Sequence, residues 1–421
     1  MVLLAVSTSG TVNADFRPTL TFGVLHDGNV SVVGGGTGVC SLLTSKACSS
    51  NADCTGGQGS CTVLGPGDSD ESVTIAFDFI WDHQTATSTF AFTYRPSYTA
   101  YRTFSELDYF GNRIVMAYAK EWSRASRFTI DAYAARTDHQ GQTTDNADTA
   151  TTFVPRTTET QANLKFAGTH GAGRRGLLDW ALRGEGFVYE DVINDPATAA
   201  NEAFDFNNSM SGGGRLGWRG EISERNTLGA AVDVVYFGYE SGPGVGVGTV
   251  GLVGTYQASA SWLIDYAAGY SRAESDGFAV NGISFNGRVD YSVLEKKSTL
   301  SAGARQVFAP GTGLGGATQD RVVWVSYGHT PTARGISGSL LASYSQRDTV
   351  QFGPSPPGGD TSSASASGTI GWMFSRFLSL NAYGAYVDQT SRNEPDPVLA
   401  AALETSYASY ALFLRWAIRG R

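Results

Sequence analysis

Charged side chains of both signs recur at alternate positions inside otherwise apolar segments of this 421-residue sequence. In LLDWALRGEGFVY, for example, Arg183 and Glu185 fall on the opposite side from Trp180 and Leu182. Ionised groups arranged in this way favour water and act electrostatically on the solutes that pass them. The candidates for this role are Asp78, Arg95, Arg113, Asp131, Lys165, Asp179, Arg183, Glu185, Arg215, Arg219, Glu221, Asp233, Asp265, Arg288, Asp290, Arg305 and Arg415.

Catalytic and metal-binding patterns are scarce by comparison. Of the five histidines only His139 has a suggestive neighbour, Asp138, and one adjacent pair near a long connection is more typical of a solvated loop than of an acid–base site. The stretch GPGVGVGTVG (242–251) lacks the Lys-Ser or Lys-Thr of a phosphate-binding loop and predicts a flexible loop. The Gly-x-Ser-x-Gly nucleophile motif is missing as well. We therefore expect no enzymatic activity, no cofactor and no metal site.

All four cysteines lie in one polar, glycine-rich stretch, which we interpret as a loop at about 34–71. An even number in so short a segment predicts two disulfides in an oxidising compartment, and the three possible pairings stay open. A zinc site is disfavoured because there is neither a Cys-x-x-Cys pair nor a nearby histidine. The cysteines concerned are Cys40, Cys48, Cys54 and Cys61.

Alternation of apolar and polar residues predicts the elements that carry these side chains. In SVTIAFDFIWD (72–82), Val73, Phe77 and Trp81 share one side of a strand with Asp78 on the other, and only Ile80 spoils the sorting. About eighteen segments resemble this one, with sixteen as the alternative count. One such strand fits a soluble sandwich as well as a membrane barrel, in which the apolar side faces lipid. No apolar run approaches the ~20 residues of a transmembrane helix.

The connections between these segments alternate between short and long along the whole chain. This rhythm predicts an all-β, antiparallel up-and-down transmembrane barrel with short periplasmic turns and long extracellular loops, which a Greek-key sandwich would not require. The long connections are expected near 34–71, 102–109, 140–160, 191–208, 240–249, 272–282, 309–320, 348–364 and 390–405.

The eight tryptophans give an independent indication of a membrane. All lie within about five residues of a short connection or of the C-terminus, so an up-and-down meander places them at one rim. Indole rings prefer the headgroup level of a bilayer, and we expect them to form an aromatic girdle in contact with outer-membrane lipid. They are Trp81, Trp122, Trp180, Trp218, Trp262, Trp324, Trp372 and Trp416.

Charge and composition limit the partners. The net charge of −9 and the lack of a basic patch exclude a nucleic-acid partner. Basic residues concentrate at the short connections, which predicts a basic inner rim. The stretch MVLLAVSTSGTVNAD resembles the end of a secretory signal, so residues 1–14 are interpreted as a signal-peptide remnant and 15–421 as a single barrel domain; an ordinary N-terminal strand is the alternative.

The segment FRPTLTFGVLHDGNV, with His26-Asp27-Gly28-Asn29, resembles the first strand of β-barrel porin families linked to exopolysaccharide loci in Gram-negative bacteria. The cysteine stretch KACSSNADCTGGQGSC is similar to loops in that group. In that group the first strand often carries an aromatic residue followed by Asp-x-Asn, and this chain has His26 at the aromatic position. A second departure is the C-terminal Arg-Gly-Arg, where the group has a terminal aromatic assembly signal. The resemblance implies polysaccharide export, with a periplasmic export protein docked at the basic inner rim.

An eighteen-stranded barrel encloses an aqueous channel rather than a packed core. We therefore predict an integral outer-membrane pore, with export of a polar polymer such as exopolysaccharide as the first hypothesis. A general diffusion porin for small polar solutes is the alternative. A barrel that displays adhesive or enzymatic loops is the third.

Overall fold

A computed structural model describes the chain over residues 13–27, 38–40, 43–48, 61–63, 69–103, 108–123, 125–139, 157–173, 175–192, 208–240, 242–293, 297–310, 317–330, 335–350, 352, 360–375, 377–392 and 405–418. Every regular element within these ranges is a β-strand. No helix in this part of the chain is long and apolar enough to cross a membrane.

The strands follow one another in chain order and are mostly 13 to 17 residues long. They are β1 (Asn13–Asp27), β2 (Gly38–Cys40), β3 (Leu43–Cys48), β4 (Cys61–Val63), β5 (Asp70–Gln84), β6 (Ser88–Tyr101), β7 (Tyr109–Ser123), β8 (Ser126–His139), β9 (Thr157–Ala172), β10 (Gly176–Val192), β11 (Ser209–Ser223), β12 (Asn226–Tyr239), β13 (Val245–Gln257), β14 (Trp262–Ser275), β15 (Phe278–Val293), β16 (Ser298–Pro310), β17 (Ala317–His329), β18 (Gly335–Thr349), β19 (Asp360–Met373), β20 (Leu378–Arg392) and β21 (Thr405–Ala417).

Eighteen of these strands form one closed sheet. From β5 to β21 each strand pairs antiparallel with the next one along the chain, and β1 pairs with both β21 and β5. Closure leaves no edge strand, so every strand finds backbone partners on both sides, as a bilayer requires. The prediction of an up-and-down barrel of about eighteen strands is confirmed.

The outer surface of the barrel is apolar. On β5 the side chains of Val73, Ile75, Phe77 and Trp81 are all exposed, whereas Asp78 on the opposite face is buried. The same division recurs on the other long strands, where exposed Leu, Val, Ile and aromatic residues alternate with polar ones. A closed barrel with this exterior is the architecture of a bacterial outer-membrane protein, and the chain belongs in that membrane.

The two rims differ mainly as the sequence predicts, with short turns on the periplasmic side and longer connections on the extracellular side. The prediction of a long connection is wrong in two places. Residues 272–282 form β14, β15 and a two-residue turn, in which Asp276 (φ 49°) and Gly277 (φ 80°) adopt the left-handed conformations of a type I′ hairpin. Likewise residues 245–249 of the connection expected at 240–249 are strand, because the glycine-rich stretch expected to be a flexible loop pairs along β13.

The predicted cysteine loop contains a small separate sheet of β2, β3 and β4 in the order β3-β2-β4. Its register places Cys40 opposite Cys61. Cys54 lies outside the described residues, as do residues 1–12 of the predicted signal remnant. The disulfides and the signal peptide stay predictions.

Candidate functional site: the lumen wall

The lumen wall is formed by the side chains that alternate with the exposed apolar ones. On β10 the lumen side carries Asp179, Arg183 and Glu185, while Leu182 between them is exposed on the lipid side. Period-two alternation fixes this division, because one residue of slip would turn every charge into the hydrocarbon. By the same alternation, all seventeen charged residues proposed from the sequence lie on the lumen face.

One group of charges has two arginines around one aspartate. The carboxylate of Asp179 lies 3.6 Å from Nε of Arg215 and 3.3 Å from Nε of Arg219. The aspartate side chain is 15% exposed, against 40% and 32% for the two arginines. In the register Asp179 faces Gly217, where a Cβ would come within 2.8 Å of the carboxylate, so glycine at this position leaves room for the acid as it lies between the two arginines.

The same arrangement occurs on another part of the wall. Asp78 on β5 is 9% exposed and lies 3.6 Å from Arg95 on β6 and 3.8 Å from Arg415 on β21, whose side chains are 38% and 46% exposed. Each of these two groups, with Asp78 or with Asp179 at its centre, carries a net charge of +1. In both, the acid lies at the wall and the guanidinium groups extend into the lumen.

Two simple pairs repeat the difference in exposure. Arg183 donates to Asp233 at 2.7 Å with exposures of 50% and 25%. Arg288 donates to Asp290 at 2.8 Å with exposures of 41% and 17%, and Ser301 donates to the same carboxylate. At these four groups a solute in the lumen therefore meets arginine before it meets the paired aspartate.

The remaining proposed residues are more dispersed. The Arg113 guanidinium lies over the Tyr133 ring at 5.4 Å from its centre. Asp131 and Lys165 are register partners on β8 and β9, and both are exposed. Glu185 accepts a hydrogen bond from Gln161 (2.9 Å), Asp265 faces Arg288 in the register, Arg305 faces Asn286, and Glu221 is exposed at the periplasmic end of β11.

A cavity of about 530 Å³ opens along the lumen side of β9 to β16. Its polar wall includes Arg183, Arg215 and Arg305, so it brings together arginines from three separate strands. Its other wall is apolar and includes Phe237 and Phe308. A smaller cavity of about 280 Å³ next to it contains Arg215, Arg219, Asp265 and Arg288.

The extracellular half of the lumen contains a buried group that sequence reasoning missed. Asp320 on β17 and Arg347 on β18 form a bidentate pair at 3.0 and 3.2 Å, and both side chains are at most 7% exposed. Thr318 donates to the same aspartate at 2.8 Å. Nearby on the lumen side, Phe237 and Val247 belong to a buried apolar cluster. The segment RVVWVSY sorts poorly in sequence, which concealed the pattern of β17.

Seven of the eight tryptophans have the placement expected of a girdle. Each lies near the periplasmic end of its strand, and Trp122, for example, is 68% exposed on the lipid side. The prediction of a girdle position is wrong for Trp324. It is only 8% exposed, lies on the lumen face of β17, and has the Arg288 guanidinium 5.7 Å from its ring centre.

Among the described residues no cluster of three or more His, Cys, Asp or Glu side chains could hold a metal ion.

No family model matches the sequence, and no curated protein matches it. Solved structures with a similar chain path include Pseudomonas aeruginosa OpdQ (10% identity, TM-score 0.41, 96% of this chain and 97% of that one). They also include Pseudomonas aeruginosa OccK2 (OpdF) in complex with glucuronate (12% identity, TM-score 0.42, 96% and 98%) and the copper transporter OprC (7% identity, TM-score 0.44, 98% and 84%). At these identities and TM-scores the three likenesses carry no argument about solute or mechanism.

Proposed function

We propose that the protein is an outer-membrane pore that passes small polar solutes and prefers anions. The observation that carries this proposal is the difference in exposure between the paired charges of the lumen. In the groups centred on Asp78 and Asp179, two partly exposed arginines surround one largely buried acid.

Electrostatics makes this difference matter. A charge at the surface of a hydrated lumen acts on a passing ion over roughly one Debye length, about 8–10 Å at physiological salt. The guanidinium groups are closer to the solute path than the carboxylates behind them, so the solute experiences a positive wall. Because arginine presents its donors in a planar fork, it also suits carboxylate and phosphate groups on a solute.

The size of the lumen cavity favours small solutes. Its volume of about 530 Å³ falls within the ~300–1,000 Å³ typical of sites for small molecules. The buried pair of Asp320 and Arg347 and the apolar cluster around Phe237 lie on the extracellular side of the lumen.

Export of a polar polymer stays a prediction whose support is the short resemblance around His26–Asn29, and the same holds for a periplasmic export protein at the inner rim. The hypothesis of adhesive or enzymatic loops concerns connections that lie largely outside the described residues. Small-solute diffusion is the function for which the lumen itself offers support.

The experiment is uptake into vesicles that contain the folded protein. Glucose, gluconate and glucosamine are similar in size but neutral, anionic and cationic, so their swelling rates separate charge from size. We expect gluconate to enter fastest and glucosamine slowest, with the order lost in an Arg95→Gln/Arg415→Gln variant. Equal rates for all three in the wild type, or faster entry of the cation, would overturn the preference for anions; no entry at all would overturn the pore.

A further inference from the structure

The cations of this barrel differ in whether they have a partner. In the lumen and at the extracellular end, arginines pair with acids: Arg102 with Glu71 at 2.9 Å and Arg272 with Glu274 at 3.1 Å are two examples outside the lumen. At the periplasmic rim Arg17 pairs with Asp82, whereas the side chains of five other described cations form no ion pair and no hydrogen bond within the described part of the chain. One of the five, Arg127, lies on the lumen face of β8, and the other four are Lys120, Arg175, Arg225 and Lys297.

The surrounding sequence makes the periplasmic rim strongly basic. The eight short connections between consecutive long strands, from 85–87 to 374–377, contain eight Lys or Arg residues and two Glu residues. The connections of the opposite rim contain three basic and fourteen acidic residues. Because basic residues outnumber acidic ones in the short connections, this rim presents a net positive charge to its surroundings.

Two of the four cations occupy neighbouring turns. Arg175 precedes β10 and Arg225 lies between β11 and β12, and both side chains are exposed. The first turn contacts the strand that leads into the second, because the backbone carbonyl of Arg175 accepts a hydrogen bond from the amide of Glu221 on β11 at 3.0 Å. Trp218, 51% exposed on the lipid side, lies deeper in β11 than either turn, and its indole Nε1 would be 3.1 Å from a Cβ at Gly176, the residue after Arg175.

The other two cations have similar surroundings. Lys120 shares the lipid-facing side of β7 with Trp122, which stacks on Phe128 at 5.9 Å between ring centres. Lys297 lies in the connection that follows β15, whose lipid-facing Tyr291 stacks on Trp262 at 4.5 Å between ring centres. Tryptophan on the lipid side marks the level of the phospholipid headgroups, so all four cations lie at the depth of lipid phosphates.

From this juxtaposition we infer that the periplasmic rim binds the headgroups of anionic phospholipids in the inner leaflet. The unpaired ammonium and guanidinium groups contact the phosphates, while the adjacent indoles pack against the glycerol and upper acyl region. Each Lys or Arg near an anionic membrane surface contributes about 1 kcal/mol, which corresponds to roughly a fivefold preference for an anionic over a zwitterionic lipid. The competing occupant of this rim is an acidic face of a periplasmic protein. Binding of such a protein would not require the cations to lie beside lipid-facing tryptophan, whereas binding of a phospholipid headgroup would.

The test uses the tryptophans as reporters. The folded full-length protein is placed in phosphatidylcholine vesicles in which either phosphatidylglycerol or phosphatidylcholine carries brominated acyl chains, which quench nearby indoles. We expect brominated phosphatidylglycerol to displace phosphatidylcholine with about a fivefold relative affinity at low salt, and this preference to weaken at about 1 M salt.

The deciding variant is K120Q/R175Q/R225Q/K297Q, in which the relative affinity should fall to about half of the wild-type value or below, because other basic residues of the short connections stay in place. The matched control R102Q/R272Q removes two cations that already pair with glutamates at the other end of the barrel, and its lipid preference should equal that of the wild type. Heat-dependent gel migration shows that each variant is folded. A wild-type relative affinity near one, or a preference that the four substitutions leave unchanged, would overturn the inference and leave the rim for an acidic protein. Loss of the preference on adding inorganic phosphate alone would also overturn it, in favour of a phosphate-ion site.

Discussion

The group of Asp179, Arg215 and Arg219 allows the preference for anions to be tested by a single substitution. Asp179→Asn keeps the shape of the side chain and removes its negative charge, so the net charge of the group rises from +1 to +2. The two arginines stay in place because other lumen side chains and Gly217 are unchanged. We therefore expect the variant pore to prefer anions more strongly than the wild type.

The expected magnitude follows from Coulomb's law with screening. For an ion that passes at about 7 Å in water, one unit of charge contributes about 0.6 kcal/mol, which a Debye length of about 10 Å at 0.1 M salt reduces to about 0.3 kcal/mol. The anion gains this amount and the cation loses it, so the permeability ratio of chloride to potassium should rise about threefold. At about 1 M salt, where the Debye length is about 3 Å, the same estimate gives about 1.2-fold.

The assay is the reversal potential of the pore in planar bilayers under a potassium chloride gradient at both salt levels. The structure offers a matched control in Asp348→Asn, because Asp348 also lies between two arginines, Arg321 at 2.7 Å and Arg392 at 3.0 Å, but on the outer face of β18. The control should leave the ratio unchanged. The reasoning would be refuted if both substitutions shifted the ratio equally, or if Asp179→Asn left it at the wild-type value in low salt.

Three further predictions concern stability and placement. Asp320→Asn should lower the free energy of unfolding by about 3–5 kcal/mol, measured from the urea midpoint of heat-dependent migration, because it removes the charge of the buried carboxylate that pairs with Arg347. Gly277→Ala should cost about 1 kcal/mol in the same assay, because an alanine is strained at φ 80°. Trp372→Leu should reduce the indole emission that brominated lipid quenches, whereas Trp324→Leu should not, because only Trp372 faces lipid.

Each of the two stability predictions has its own reference in the chain. For Asp320 it is Asp348→Asn, whose half-exposed pairs should contribute at most about 1 kcal/mol. For Gly277 it is Gly212→Ala, where nothing lies within 4 Å of the added methyl group and φ is not in the left-handed range. Equal losses in the target and its reference would contradict the proposed causes.

Most of the fold can be predicted from the alternation of apolar and polar residues along each strand, because this alternation is a local property of the sequence. SVTIAFDFIWD is an example: Phe77 faces lipid, Asp78 faces the lumen, and Ile80 falls on the lumen side next to the periplasmic end, opposite Arg17 in the register. Ile80 is therefore an apolar residue at a lumen-facing position, but it keeps the alternating geometry of the strand.

Three features could not be predicted correctly from the sequence: the turn at Asp276-Gly277, the strand β13 and the orientation of Trp324. The Asp276-Gly277 pair is typical of a two-residue hairpin turn. The alternation of short and long connections predicts a long loop at the same place, and that prediction is wrong. The glycines of β13 pair within a sheet that supplies partners from β12 and β14, which local composition does not reveal. Trp324 points inward because its strand places Asp320 on the same face, and the partner Arg347 comes from the next strand.

The most direct test of an arginine-lined aqueous lumen is the current through single molecules of the wild-type protein in a planar bilayer under a potassium chloride gradient. We expect stepwise conductance and a reversal potential with the sign of the chloride equilibrium potential, more pronounced at low salt than at high salt. A folded, inserted protein without conductance, or a reversal potential with the sign of the potassium equilibrium potential, would contradict it.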